Sequence, residues 1–312
     1  MVSGSDIAPR PGTFSTNDSF DDIDKLDDYW KADQTRPNPN IAWAVKLLED
    51  FAAKPGGSPF WLHQRSDVAA QLKVRVNDPT KINQADTFLC GATSVVRAWA
   101  QDTPVDYAWL GIQLYDLGRG RLGRGEFLGK VICPSADLRK SALPTGMQPA
   151  DWMTLASVHE ACNILGVTRY TKDEGFLNNK GWQTAREVVG AYKAAGYRNV
   201  IDHTDFFHTS NFTSADLEKA NNYLRDGYRV SLLINMRLLS DDTIGTQAKL
   251  IASSDHWVGM LETINTTVAG DYIPAFEVFS WGKRWRVPSV GDRIRLQDFL
   301  KEFYGFVAAR MY

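Results

Sequence analysis

The apolar residues of this chain change their period near Tyr197, and that change limits what the chain can fold into. Before it, Ile41, Ala44, Val45, Leu48 and Phe51 recur at helical spacing, predicting a helix over 41–53 that Pro55-Gly56-Gly57 ends. A connecting region containing Pro59 and Pro79 follows. Further helices are expected over 89–100, closed by Pro104, over 152–165, ended by Gly166, and over 181–195, with Gly196 at the stop position. After Tyr197 the strand pattern takes over. Short runs at 198–201, 229–235, 257–263, 275–280, 284–287 and 305–311 read as strands. Two helices interrupt them: one from the capping-box-like pair Thr213 and Asp216 to Asp226, with Gly227 as its stop, and one over 297–304. Helices first and an antiparallel sheet second is the order of an α+β domain. We expect one domain over 41–312, with a helical half at about 41–196 and a sheet half at about 197–312.

Residues 1–40 stand apart. Asp18, Asp21, Asp22, Asp24, Asp27 and Asp28 crowd together with only Lys25 among them. Such a stretch buries too little apolar surface to offset its ordering entropy, so a flexible acidic arm is expected, able to dock a partner or a delivery machine through Tyr29 and Trp30. The whole chain carries a net charge of −2, which gives no general pull toward nucleic acid or a membrane surface. No apolar run approaches the roughly 18 residues of a membrane span. Met1 to Phe20 lacks the basic-then-apolar pattern of a cleaved signal, and Cys90, Cys133 and Cys162 are an odd number without paired spacing. Synthesis in a reducing cytoplasm is expected, with export by a specialised secretion system left open.

The segment Asn83-Gln84-Ala85-Asp86-Thr87-Phe88-Leu89-Cys90-Gly91 holds the first chemical candidate. A cysteine in the first turn of a helix sits at the positive end of the dipole, where backbone N–H groups favour the thiolate. Gly91 removes a side chain beside the sulfur, where a substrate carbonyl has to approach. Gln84 can offer an amide, beside the Cys90 backbone N–H, to an oxyanion. The alternative is a buried structural cysteine that simply opens a helix. The second candidate is Asp255-His256-Trp257-Val258, a histidine at the start of an apolar strand. Such a residue can meet a distant helix N-terminus in space and form a Cys/His pair. His63, His159, His203 and His208 lack this setting and are expected to be surface or satisfied structural residues. The third is Phe279-Ser280-Trp281-Gly282, where a strand ends in an indole able to cover the His256 ring.

Together these pieces resemble the papain-like cysteine peptidases: Gln84 six residues before Cys90-Gly91, then His256 opening a strand, then a strand closing in Ser280-Trp281-Gly282. From Tyr223 to Arg310 the pattern is closer to the bacteriocin-processing branch, although no transporter segments accompany it. The resemblance covers Asn83 to Ala100 and Tyr223 to the end. It implies a papain-like fold and an acyl-enzyme cycle with Cys90 as nucleophile, His256 as base and Gln84 as oxyanion donor, along a cleft bordered by Gly91, Trp257 and Trp281. A protein or peptide substrate is implied, and no cofactor. The family's histidine-orienting Asn or Asp falls at Phe279, which cannot hydrogen-bond. A one-residue shift brings Ser280 to His256 and a two-residue shift brings Glu277. Ser280 is favoured, Glu277 and Asp271 stand behind it, and Asp255 is disfavoured because neighbours on a strand point to opposite faces. The same Cys/His machinery serves peptide or isopeptide cleavage, a deamidase, or a transglutaminase-like toxin. A secreted effector fits the acidic arm, and a non-catalytic binding module on the same fold is the alternative of another class.

Two further patterns are set aside. Gly118-Arg119-Gly120-Arg121-Leu122-Gly123 has the spacing of a dinucleotide loop, but Gly125-Glu126-Phe127 does not open the helix such a loop requires. Arg119, Arg121 and Arg124 are expected to form a flexible basic turn that can hold an acidic segment. His159-Glu160-Ala161-Cys162-Asn163 starts like a zinc-protease helix but has Asn163 where the second ligand belongs, and Cys133 and Cys162 offer no zinc spacing, so no metal is expected. The stretch 118–181 is expected to elaborate the helical half and wall the cleft.

Overall fold

The computed structural model describes residues 41–123, 130–163, 183–205, 212–239, 255–266 and 271–311. The acidic arm, Arg124, the Gly125-Glu126-Phe127 stretch, Gly166, His208 and the expected helix start at Gly181 lie outside them. In chain order the elements are α1 (Ile41–Ala53), α2 (Arg65–Asn77), a 3-10 turn (Pro79–Lys81), α3 (Cys90–Asp102), α4 (Pro104–Leu117), the hairpin β1 (Gly120–Leu122) and β2 (Lys130–Ile132), and α5 (Ala136–Lys140). A helical stretch follows as α6 (Pro149–Asp151), a π segment (Trp152–Ala156) and α7 (Ser157–Cys162), then α8 (Ala185–Ala194). The sheet half comprises β3 (Asn199–Thr204), α9 (Ser214–Arg225), β4 (Arg229–Asn235), a 3-10 turn (Met236–Leu239), β5 (Asp255–Met260), β6 (Tyr272–Pro274), β7 (Phe276–Ser280), β8 (Lys283–Val287), β9 (Arg293–Arg295), α10 (Leu296–Lys301) and β10 (Phe303–Arg310). Helices dominate the N-terminal half and an antiparallel sheet the C-terminal half, which makes the chain α+β. Among the described residues, no helix is long and apolar enough to cross a membrane.

The main sheet has the order β3-β10-β4-β5-β7-β8, antiparallel throughout. Alternation splits its side chains into two cores. Ser231, Leu233, Trp257, Phe279, Val307 and Ala309 face the helical half, where α3 and α8 pack. Val230, Leu232, Ile234, Val258, Met260, Val278 and Phe306 face α9 and α10. Between β3 and β4 the central β10 shifts register at Gly305. A Cβ there would lie 2.1 Å from the His203 carbonyl oxygen, so only glycine fits.

Several expectations need correcting. Two helices lie where connections were expected. In α2 the apolar stripe of Val68, Leu72 and Val76 is interrupted by Arg65 and Arg75, which are buried because they pair with Asp116 and Asp151. Pro104 does not only end α3; it occupies the first turn of α4, where a missing N–H costs nothing. Helix α4 is buried on nearly every side, so it has no amphipathic period to read. The described part of the expected basic turn, residues 118–123, is regular: Gly118 caps α4 with φ +64, and Arg121 pairs with Val131 between β1 and β2. The helix expected over 152–165 is wound as a π segment in its first turns. There the hydroxyls of Thr154 and Ser157 donate to the carbonyls of Ala150 and Met153, at 2.8 and 2.5 Å.

Candidate functional site

Helix α3 is seated on the sheet by a polar seam. Ser94 and Tyr192 both reach the hydroxyl of Ser231, each at 2.7 Å, while Asp102 accepts from Arg229 Nε at 3.0 Å and from Tyr197 at 2.7 Å. Buried polar groups satisfied by one another fix the rotation and axial setting of a helix more narrowly than apolar packing does. The seam also sets what lies level with what. Arg97 Nη1 is 3.9 Å from where a Cβ on Gly259 would sit, and Ser231 is the residue opposite Gly259. One turn and a half earlier on the helix, Gly91 abuts Gln183, whose carbonyl accepts the Trp257 indole N–H at 2.9 Å. Helix and strand therefore run side by side in the same direction. From Arg97 back to Cys90 is roughly 10 Å of helix at about 1.5 Å per residue. From Gly259 back to His256 is roughly 10 Å of strand at about 3.3 Å per residue. Gly91 and Trp257, the residues after Cys90 and His256, both contact Gln183.

Cys90 is 4% exposed and carries a reduced thiol as the first residue of α3. The N-cap is Leu89, whose side chain cannot accept a hydrogen bond, so it leaves the positive end of the helix uncapped from that position. His256 is also 4% exposed. Its Nε2 lies 2.6 Å from Ser280 Oγ, and the Trp281 ring stacks on the imidazole at 4.2 Å between centroids and 11° between planes. The tautomer in which Nε2–H donates to Ser280 leaves the lone pair of a base on Nδ1. Burial pushes the imidazole down to a pKa of about 3, so it is neutral at physiological pH.

The sheet register explains why serine holds the ring. Gly259 pairs with Phe279, which sends Phe279 toward α3 and beneath the Arg97 guanidinium, at 5.6 Å from its carbon to the ring centre. His256 has the opposite parity, shared with Val258 and Ser280, so a one-residue shift decides which side chain meets it. The ring then lies at the end of the sheet, beside the two-residue Trp281-Gly282 turn. Both turn residues have positive φ, +45 and +71, as a type I′ turn requires, although a bulky residue is costly there. Gly282 backs onto Asn83, where a Cβ would come within 2.8 Å. The turn that covers His256 is therefore braced against the segment leading into Cys90.

The other expected site residues are placed as follows. Glu277 shares the face of Phe279, is exposed in part and takes Arg284 at 2.9 Å, so it does not meet His256. Asp271 is exposed ahead of β6. Gln84 is 2% exposed and donates from Nε2 to the Thr87 carbonyl at 3.1 Å, which spends one of its two N–H groups inside its own loop. Gly91 was expected to clear space for a substrate carbonyl, but its side-chain position is filled from within the protein: a Cβ there would meet Gln183 Oε1 at 2.7 Å and Val188 Cγ2 at 2.9 Å. Trp257 is a core residue rather than part of a cleft, 1% exposed. Trp281 is partly exposed and packs edge-on to Trp285. His159 is fully buried, His203 bonds Asp216 at 3.0 Å, and burial lowers the pKa of His63. Among the described residues, no three His, Cys, Asp or Glu side chains come together as a metal site. Sequence reasoning missed Gln183, which lies outside any motif and becomes visible only through its contacts with Gly91 and Trp257.

No protein-family model matches the chain, and no curated protein is significantly similar to it.

Proposed function

We propose that this chain is a cysteine-dependent hydrolase with a papain-like core, acting on peptide or isopeptide bonds. The observation that carries it is the His256 imidazole, buried and held between the Ser280 hydroxyl and the Trp281 indole, on the strand against which the helix opened by Cys90 packs. Cys90 attacks a carbonyl carbon as His256 Nδ1 takes the thiol proton. The S–C bond forms and the carbonyl π pair moves to oxygen. The tetrahedral species collapses, its amine leaves with the proton from His256, and water then releases the acyl group. A neutral resting imidazole favours proton transfer on substrate arrival over a standing ion pair. The same cycle on a side-chain amide makes a deamidase, and an amine in place of water makes an acyl transferase.

Iodoacetamide labelling read by mass at each cysteine tests the chemistry. Exposed Cys133 serves as the internal reference, and Cys162, whose pKa burial pushes up to about 11, as the inert one. Cys90 is expected to outpace Cys133 despite its burial. His256→Gln is expected to slow Cys90 by about 10² or more and leave Cys133 unchanged. Equal, slow labelling of Cys90 before and after that substitution excludes the hydrolase. Incubating mixed proteins with wild type and with Cys90→Ala then separates the reactions: new termini mean cleavage, and conversion of Gln or Asn to the acid means deamidation.

A further inference from the structure

Strand β8 forms one edge of the main sheet, and it is basic: Lys283, Arg284 and Arg286 are exposed on it, around the partly buried Trp285. Side chains alternate across the strand. Arg284 and Arg286 share the face of Glu277, which stands opposite Arg286 in the register but is taken by Arg284 at 2.9 Å. One carboxylate therefore serves two guanidinium groups. On the other face, Lys283 Nζ lies 3.7 Å from the centre of the Trp285 ring. Lys81, exposed in the 3-10 turn that packs against β8, is 3.9 Å from Asp78. Among the described residues, no carboxylate pairs with Lys283 or Arg286.

We propose that this strip is the docking surface for the chain's own acidic segment, Asp18 to Asp28, whose carboxylates pair with the cations of β8 and with Lys81. The six aspartates there have one lysine among them, which suits a strip with cations in excess. The place where residues 1–40 join the fold points the same way. Phe51 lies under Arg65 and Glu49 reaches Lys73, so α1 and α2 run antiparallel. From Glu49 back to Ile41 is as many residues as from Lys73 on to Lys81, which brings the start of α1 toward the turn that abuts β8. The chain from Asp28 to Ile41 can span roughly 40 Å when extended, and β8 is about 17 Å long, so reach is ample. Tethering selects this occupant over a free acidic peptide. Exposed ion pairs are individually weak, whereas a segment joined by a short linker is held at an effective concentration on the order of millimolar. The inference is independent of the hydrolase reading.

Zero-length coupling of the full chain with a carbodiimide, read by peptide mass, tests the contact, because an amide forms only where a carboxylate meets a lysine amine. The native pairs Lys73–Glu49 and Lys301–Asp298, at 2.6 and 3.0 Å, report that the coupling works. Amides from Asp18–Asp28 are expected on Lys283 and Lys81, within single chains, at about threefold or more the yield on Lys46 and Lys219. Those two lysines are also exposed, and Lys46 sits close to where the segment is tethered. Raising salt from about 50 to about 500 mM should cut the Lys283 yield about threefold or more relative to Lys73–Glu49. Arg286→Glu at low salt should do the same. Amides spread alike over Lys46, Lys219 and Lys283, amides joining two chains, or none while the native pairs couple, each overturn the inference. The charges of β8 then serve to keep its open edge from pairing with another sheet. A Lys283 yield indifferent to both salt and Arg286→Glu overturns it as well.

Discussion

The pH dependence of stability reports directly on the resting state of His256. An unfolded histidine titrates near 6.5, whereas burial holds the folded one at about 3. Between those values the unfolded chain binds the extra proton, so stability increases with pH across that window. The contribution is complete above 6.5 and is lost as pH falls from 6.5 toward 3. Worked through the linkage relation, lowering the pH from 7 to 5 removes about 2 kcal/mol, since each unit of differential titration carries about 1.4 kcal/mol. The ring is fully enclosed, so little solvent screening reduces that figure. Other groups titrate as well, including His63, whose pKa is also lowered. They cancel when wild type is compared with His256→Gln, which keeps a polar side chain that does not titrate. Urea unfolding at pH 7 and pH 5 on both proteins gives the double difference. We expect wild type to lose about 2 kcal/mol more than the variant over that step. A standing thiolate–imidazolium pair predicts the reverse. His256 would then be charged when folded, its folded pKa would lie above 6.5, and the stability it adds would be present at pH 5 and lost as pH rises. A double difference near zero or of that opposite sign refutes the neutral resting site.

Two further changes probe the same ring. Ser280→Ala leaves His256 Nε2 buried without its partner and should cost about 1–3 kcal/mol in urea unfolding. It should also slow Cys90 alkylation, because the ring loses the contact that sets its tautomer. Trp281→Asn converts the strained turn into the Asn-Gly pair that a type I′ turn prefers, so the hairpin should stay folded. Removing the stacked indole admits water, and the imidazole pKa, followed by NMR titration, should climb from about 3 back toward 6.5.

Much of the fold was legible because its elements carry their own signals. The apolar period over 41–53 matches α1, the run 229–235 matches β4, and the Thr213–Asp216 capping box opens α9. The helices that escaped are those whose faces break the binary pattern. In α2 buried arginines occupy core positions, and in α4 burial on all sides erases the stripe. At the site, Ser280 could be ranked above Glu277 but not fixed, because strand register depends on pairing and a one-residue slip exchanges the two faces. Gly91 was noticed for the right reason, a missing side chain, and given the wrong neighbour. What fills the space over it is Gln183, and no local pattern in the sequence connects residue 91 with residue 183.

The partner chosen for His256 also bears on why the ring can be buried at all. A carboxylate at that position would stabilise the protonated imidazole but would itself have to be desolvated, and a buried ionised group left without a charged partner costs several kcal/mol. A hydroxyl avoids that burden. Ser280 is 2% exposed, orients the ring through one hydrogen bond, and leaves the resting site without net charge. On the proposed hydrolase reading, charge appears only when a substrate carbonyl arrives, beside the imidazole that takes a proton and the helix start at Cys90. On that reading the serine belongs to a dry, neutral resting pocket, in which each fixed dipole counts for more in the transition state.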